Sequence, residues 1–366
     1  MSKIRTAVIG AGRLGGFHAQ KLSQNPQVEL VGVADPFAPN RNRVAADCHC
    51  EAVADHRTFI GRIDAAIIAS PTGLHYDLAK ELLEAGVHLL VEKPLTNDAA
   101  DAEALVTLAR RKNLVLQAGH VERFNPAFSA VAEHAKNPKY IDALRASGYT
   151  FRSTDVGVVL DLMIHDIDLV LSLVKSRVRT VEAMGVSVVG GHEDVANARI
   201  TFECGCVANL SASRVSYEAV RRMQLWSMQG FSSIDFASRS LTVVRPSAML
   251  LLREFDADLL KPDELEHYRK NFAAENLPRE QQQFDAVDAL QLEDSDFIDS
   301  IQTRREPRVT GEAGRDAVSL AEEILDRIHD HAWDATQDGP AGPLALPRRH
   351  TIPAPHFTLP ARRVAG

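Results

Sequence analysis

The sequence predicts an α/β chain, with a doubly wound parallel sheet first and then an α+β domain built on an open, mostly antiparallel sheet. Three observations carry that reading. Over the first 120 residues, short apolar runs alternate with helical patterns. The first of those runs passes directly into a glycine-rich turn, Gly10-Ala11-Gly12-Arg13-Leu14-Gly15. After Gly119 strand follows strand, with few helices between.

In order, the first strands are expected at Ile4–Ile9, Val28–Ala34, Ala65–Ala69, Val87–Val91 and Leu114–Ala118. Near-continuous apolar runs of this kind suit strands covered on both faces. Helices are expected between them at Arg13–Asn25, Arg41–Ala46, Gly73–Ala85 and Asp98–Lys112. Thr96 or Asn97 can cap the last of these, and Gly86 can end the one before it. Further on, a helix from Pro126 to about Ala135 precedes a strand at Ile141–Phe151 and an apolar helix at Gly157–Val174. Strands follow at Val178–Val189, Asn197–Glu203, Val207–Ser213, Arg222–Gln229, Phe231–Phe236 and Leu241–Val244, with Glu203–Cys206 as a hairpin turn. Met249–Glu280 is a polar insertion without a clear pattern. Phe284–Thr303 and Gly311–His331 read as amphipathic helices, and the Pro- and Arg-rich end has no periodicity. The expected divisions are 1–120, 121–333 and a tail, 334–366.

A G-x-G-x-x-G sequence between a strand and a helix has a physical use. Gly10 allows the tight turn, Gly12 lets backbone approach a pyrophosphate, and Gly15 lets the helix close on the strand. Arg13 and Leu14 lie at the helix start, where its dipole favours phosphate. About twenty residues on, after the second strand, Asp35 is placed to accept hydrogen bonds from the ribose hydroxyls and to repel a 2′-phosphate. The motif therefore points to NAD in preference to NADP.

At 366 residues and 45% hydrophobic content, the chain can bury more than one core. A net charge of −8 gives nucleic acid no electrostatic footprint. Met1-Ser2-Lys3 leads straight into a strand and no apolar run approaches a membrane span, so a soluble, cytoplasmic protein is expected. The pairs Cys48/Cys50 and Cys204/Cys206 lack zinc-site spacing and read as reduced structural thiols, with no metal.

Three further segments can carry chemistry. Ser70, Thr72 and His75 follow the third strand, where loops line the cofactor crevice; helix capping explains Thr72 equally well. Glu92 and Lys93 end the fourth strand, costly places for charge unless paired or used. Asp161 and His165, four apart on an apolar helix, share one face. A carboxylate that orients an imidazole is the layout of a general base, although a paired core histidine looks the same.

With Gly10/Gly12/Gly15, Glu92-Lys93-Pro94, Gly119-His120-Val121-Glu122-Arg123-Phe124-Asn125-Pro126 and Asp161-x-x-x-His165 in that order, the chain resembles the glucose–fructose oxidoreductase/inositol dehydrogenase/rhizopine-catabolism (Gfo/Idh/MocA) family. The resemblance implies a Rossmann domain and an open sheet that joins subunits into dimers or tetramers. It also implies a Lys93–Asp161–His165 triad, hydride transfer at a sugar or cyclitol alcohol, and a cis Lys93-Pro94 bond. GHVERFNPAF and DVGVVLDLMIHDIDLVLSLV are most similar to the members that oxidise the C3 hydroxyl of UDP-N-acetylglucosamine, on a route to amide-linked lipid A. Inositol or a free monosaccharide is the alternative substrate, and a non-catalytic NAD-binding sensor the alternative role. For a nucleotide sugar, Arg123, Asn125 and Arg152 are candidate substrate ligands; a salt bridge explains Arg123 equally well.

Overall fold

A computed structural model describes residues 2–151, 156–189 and 192–331. The chain divides into two compact units. Of the described residues, one unit comprises those within 2–124 and 288–323, and the other those within 125–287 and 324–331.

The first unit begins β1 (Ile4–Ile9), α1 (Arg13–Gln24), β2 (Val28–Ala34), α2 (Ala38–Cys48), β3 (Glu51–Val53) and β4 (Ala65–Ile68). It continues with α3 (His75–Glu84), β5 (His88–Glu92), α4 (Ala99–Lys112) and β6 (Leu116–Gly119). Its strands lie in the order β3-β2-β1-β4-β5-β6, all parallel. This is the doubly wound arrangement expected, with β3 as an added edge too short to read from pattern. Val8, Ala65, Ile67 and Leu90 pack with Leu22 and Val44 of the flanking helices. The N-cap of α4 differs from expectation. Asp98 is its N-cap and accepts the Asp101 N–H, while Thr96 Oγ1 donates to the Asp98 carbonyl. The cap thus falls on Asp98, one position beyond the expected pair, because the helix starts at Ala99 and the Asp98 side chain reaches the Asp101 N–H.

The second unit begins α5 (Pro126–His134), β7 (Tyr140–Ala146) and α6 (Ile164–Leu173), which a π-helical turn, Val159–Met163, leads into. Then come β8 (Val178–Val186), β9 (Val195–Phe202), β10 (Val207–Ser213), β11 (Val220–Ser227), β12 (Gly230–Asp235) and β13 (Ser240–Val244). The expected insertion is ordered as α7 (Ala248–Leu251), α8 (Pro262–Asn276) and β14 (Arg279–Gln283), the last an edge strand against β13. The sequence Arg-Glu-Gln-Gln-Gln hides β14, because an edge strand with both faces wet shows no alternation. Eight strands run β14-β13-β12-β11-β7-β10-β9-β8, antiparallel except for β7 with β10. Ile141, Ala143, Ala198, Ile200, Leu210 and Met223 are buried, and α5 and α6 pack on this sheet. Tyr140, Trp226 and Phe231 form an aromatic row, Tyr140 and Phe231 half-buried and Trp226 exposed, with neighbouring ring centroids 5.0 Å apart.

Helix α9 (Ala289–Thr303) belongs to the first unit, where Phe297 and Ile298 join the β1–α1 core. The division between units then falls after Glu323, within α10 (Gly311–Asp330). Sequence order alone groups both helices with the second half of the chain.

Candidate active site

In the first unit the glycine turn has the steric logic of a dinucleotide cradle. Gly10 has φ +98°, and a Cβ there would stand 2.5 Å from the Ala69 carbonyl oxygen. A Cβ on Gly15 would collide with the Gly10 carbonyl oxygen at 1.8 Å. At Gly12 a Cβ would meet nothing within 4 Å, and α1 starts there without a side-chain cap. Open space over uncapped helix N–H groups is what a diphosphate requires, so these residues fit NAD. Arg13 and Leu14, on the first turn, are exposed. The Asp35 carboxylate stands beside the turn at the tip of β2, accepting the Ala11 and Phe37 N–H groups at 2.8 Å each.

The loops after β4 and β5 are tied together. The buried His75 ring spans the Ser70 and Pro94 carbonyl oxygens, 2.9 Å from each. Thr72 is also buried, in a short 3₁₀ turn before α3 that has no side-chain cap. The Lys93-Pro94 bond is cis, as expected, and Lys93 is half-buried. Glu92 turns inward: its Oε1 lies 2.9 Å from His18 Nε2, and its Oε2 accepts the Lys93 N–H at 3.2 Å. Arg123 is half-buried in the turn after β6, and its carbonyl oxygen accepts Arg308 Nη1.

In the second unit the helix that carries Asp161 and His165 is anchored at three points. A Cβ on Gly157 would overlap the Glu193 carboxylate, and Glu193 Oε1 accepts the Val159 N–H at 3.1 Å. That puts an anion at a helix N-terminus, where the dipole favours it; burial holds the Glu193 carboxyl above its ordinary 4.5. Arg214 donates to Asp194 at 2.7 Å and to the Val156 carbonyl at 2.8 Å. Arg145 on β7 grips Asp166 on α6 through two bonds of 2.9 Å, both residues buried. Asp161 lies in the π-helical turn and His165 in the first turn of α6, both half-buried. Interruptions of this type recur at functional sites.

Asn125 has an architectural task. It caps α5 by accepting the Ala127 N–H, and its Nδ2 donates to the Phe236 carbonyl. Arg152 lies outside the described residues. All four cysteines are free thiols, and burial pushes Cys50 and Cys206 up to about 11. Among the described residues, no helix is long and apolar enough to cross a membrane.

Residues 4–120 match the profile of an oxidoreductase family with an NAD-binding Rossmann fold, and residues 128–231 match the C-terminal domain of the same family. The chain belongs to the Gfo/Idh/MocA family. It is 35% identical over 330 residues to the UDP-N-acetylglucosamine 3-dehydrogenase of Acidithiobacillus ferrooxidans, covering 88% of this chain and 97% of that protein. A solved structure of that enzyme, GnnA, superposes with a TM-score of 0.78 at 34% identity, covering 90% of this chain and 99% of that one. The scyllo-inositol 2-dehydrogenase of Bacillus subtilis is 28% identical over 233 residues, 58% of this chain and 68% of that protein. The protein is thus an NAD-dependent oxidoreductase, with the two sheets that its family membership implies.

Proposed function

We propose that this protein oxidises the C3 hydroxyl of UDP-N-acetylglucosamine, with NAD as acceptor. The observation that carries this reading is the match to the Acidithiobacillus ferrooxidans enzyme across 97% of its length, on a chain that has Lys93, Asp161 and His165. Bound NAD supplies the hydride acceptor. Gly12 and the first turn of α1 hold its diphosphate, and Asp35 holds its adenosine ribose. His165 takes the hydroxyl proton at its imidazole as the carbon loses hydride. Asp161 orients that ring, and Lys93 stabilises the developing alkoxide by charge and hydrogen bonding. Glu92 acts from beneath Lys93, while Ser70, Thr72 and His75 shape the neighbouring wall. Arg123 is the proposed diphosphate ligand of the substrate. The aromatic row of the second sheet is the proposed subunit contact, giving a dimer or tetramer by light scattering.

The test is NADH formation with UDP-N-acetylglucosamine, myo-inositol and glucose assayed in parallel. Turnover with the nucleotide sugar at a kcat/KM at least about a hundredfold above the others supports the reading; a preference for inositol or glucose overturns it.

A further inference from the structure

Three ionisable side chains from three elements meet under Lys93, in a place where charge is costly. His18 on α1 is fully buried, Asp294 on α9 is 2% exposed, and Glu92 at the end of β5 is 6% exposed. His18 Nδ1 lies 2.7 Å from Asp294 Oδ1, and Nε2 lies 2.9 Å from Glu92 Oε1. The other Glu92 oxygen accepts the Lys93 backbone N–H at 3.2 Å. A Cβ on Gly119, the β6 residue opposite Glu92, would stand 3.0 Å from that same oxygen. The glycine therefore leaves room for the carboxylate to lie where it does.

Both ring nitrogens of His18 face carboxylate oxygens, and only an imidazolium donates to both. Burial pushes the ring toward neutrality more than any other single influence. The charges and hydrogen bonds of Asp294, then Glu92, together outweigh it and hold His18 well above its ordinary 6.5. Such a group is poor value as a source of stability, because packed apolar side chains of similar volume do as well or better. What a charged, directional chain adds is fixed geometry.

We propose that Asp294, His18 and Glu92 form a positioning chain that sets the backbone from which Lys93 reaches substrate. Asp294 holds the ring of His18, the ring holds one oxygen of Glu92, and the other oxygen holds the Lys93 N–H. None of the three touches substrate. The Pro94 carbonyl has its own anchor in His75, so cutting the chain loosens one side of the lysine without freeing the loop. This inference rests on the reading of Lys93 as a residue that acts on the substrate hydroxyl.

The experiment compares wild type, Asp294→Leu, Asp294→Asn, Lys93→Ala and the Lys93→Ala/Asp294→Leu double variant. Each is assayed for cooperative unfolding, KM for NAD and kcat. Asp294→Leu cuts the chain at the end remote from Lys93. It is expected to lower kcat about 10- to 100-fold, the cost of a misplaced group, while KM for NAD stays within about threefold. Asp294→Asn keeps a carbonyl oxygen for Nδ1–H and is expected to regain kcat to within about threefold. In the Lys93→Ala background, Asp294→Leu is expected to cost nothing further, since the two act as a unit. Should Asp294→Leu not fold, isosteric Glu92→Gln replaces it in the same cycle.

Unchanged kcat in a destabilised Asp294→Leu protein overturns the proposal and leaves a purely structural cluster. The same loss in both backgrounds overturns positioning while leaving the role of Lys93 intact. Full kcat in Lys93→Ala overturns both this inference and the reading beneath it.

Discussion

Gly12 separates binding from folding more cleanly than any other residue of the turn. Its φ is negative and a Cβ there meets no neighbour, so Gly12→Ala leaves the fold alone and puts a methyl where the diphosphate approaches. We expect KM for NAD to rise about tenfold or more, 1.4 kcal/mol of lost binding, with Tm close to wild type. His165→Ala should do the opposite, lowering kcat by about 10²–10⁴-fold with NAD affinity intact, as measured by steady-state kinetics. The glycines, Lys93 and the Asp161/His165 pair are legible as candidates because each sits in a short contiguous pattern, and Asp35 because its distance from the turn is fixed by one intervening helix and strand. His18 and Asp294 were not. They lie 276 positions apart, and each alone looks like a polar residue on an amphipathic helix.

At the scale of the element, the helix bearing Asp161 and His165 depends on the buried Arg145–Asp166 pair. Removing one partner of such a pair leaves the other charge stranded, which costs about 3–5 kcal/mol. Asp166→Ala should lose that much in urea denaturation, a large share of the about 5–15 kcal/mol a native protein has. Arg145→Met with Asp166→Leu should recover most of it. The length of its apolar run marks this segment as a buried helix. The π-helical turn leaves no mark in the sequence, since a wider turn barely disturbs an almost wholly apolar run. Most strands of both sheets are legible from buried runs and alternation; β3, three residues long, and β14, an exposed edge, carry neither signal.

For the molecule as a whole, stability is bounded on both sides of neutrality. His18, raised above its ordinary 6.5, contributes stability that is complete below that pH and lost as pH rises through its folded-state value. Asp294, held above its ordinary 3.8 by burial against the opposing pull of His18, also loses its contribution as pH rises, but that contribution is complete only below 3.8. Asp64, lowered by its hydrogen bonds and charge contact with Arg5, contributes stability that is lost on acidification. Thermal unfolding should therefore show Tm falling from neutral into alkaline buffer, with a shallower fall in His18→Leu. An unchanged slope in that variant would show that the ring is not the group responsible. Composition and patterning placed the two sheets correctly, but they could not assign α9 to the first unit, because that depends on which core its apolar face meets.

Hydride transfer from C3 of a nucleotide sugar is the central claim, and isotopic labelling tests it directly. UDP-N-acetylglucosamine carrying deuterium only at C3 should give NADH containing one deuterium, by mass spectrometry, together with an unlabelled 3-keto product. NADH formed without deuterium would place the oxidation at another carbon and contradict the account.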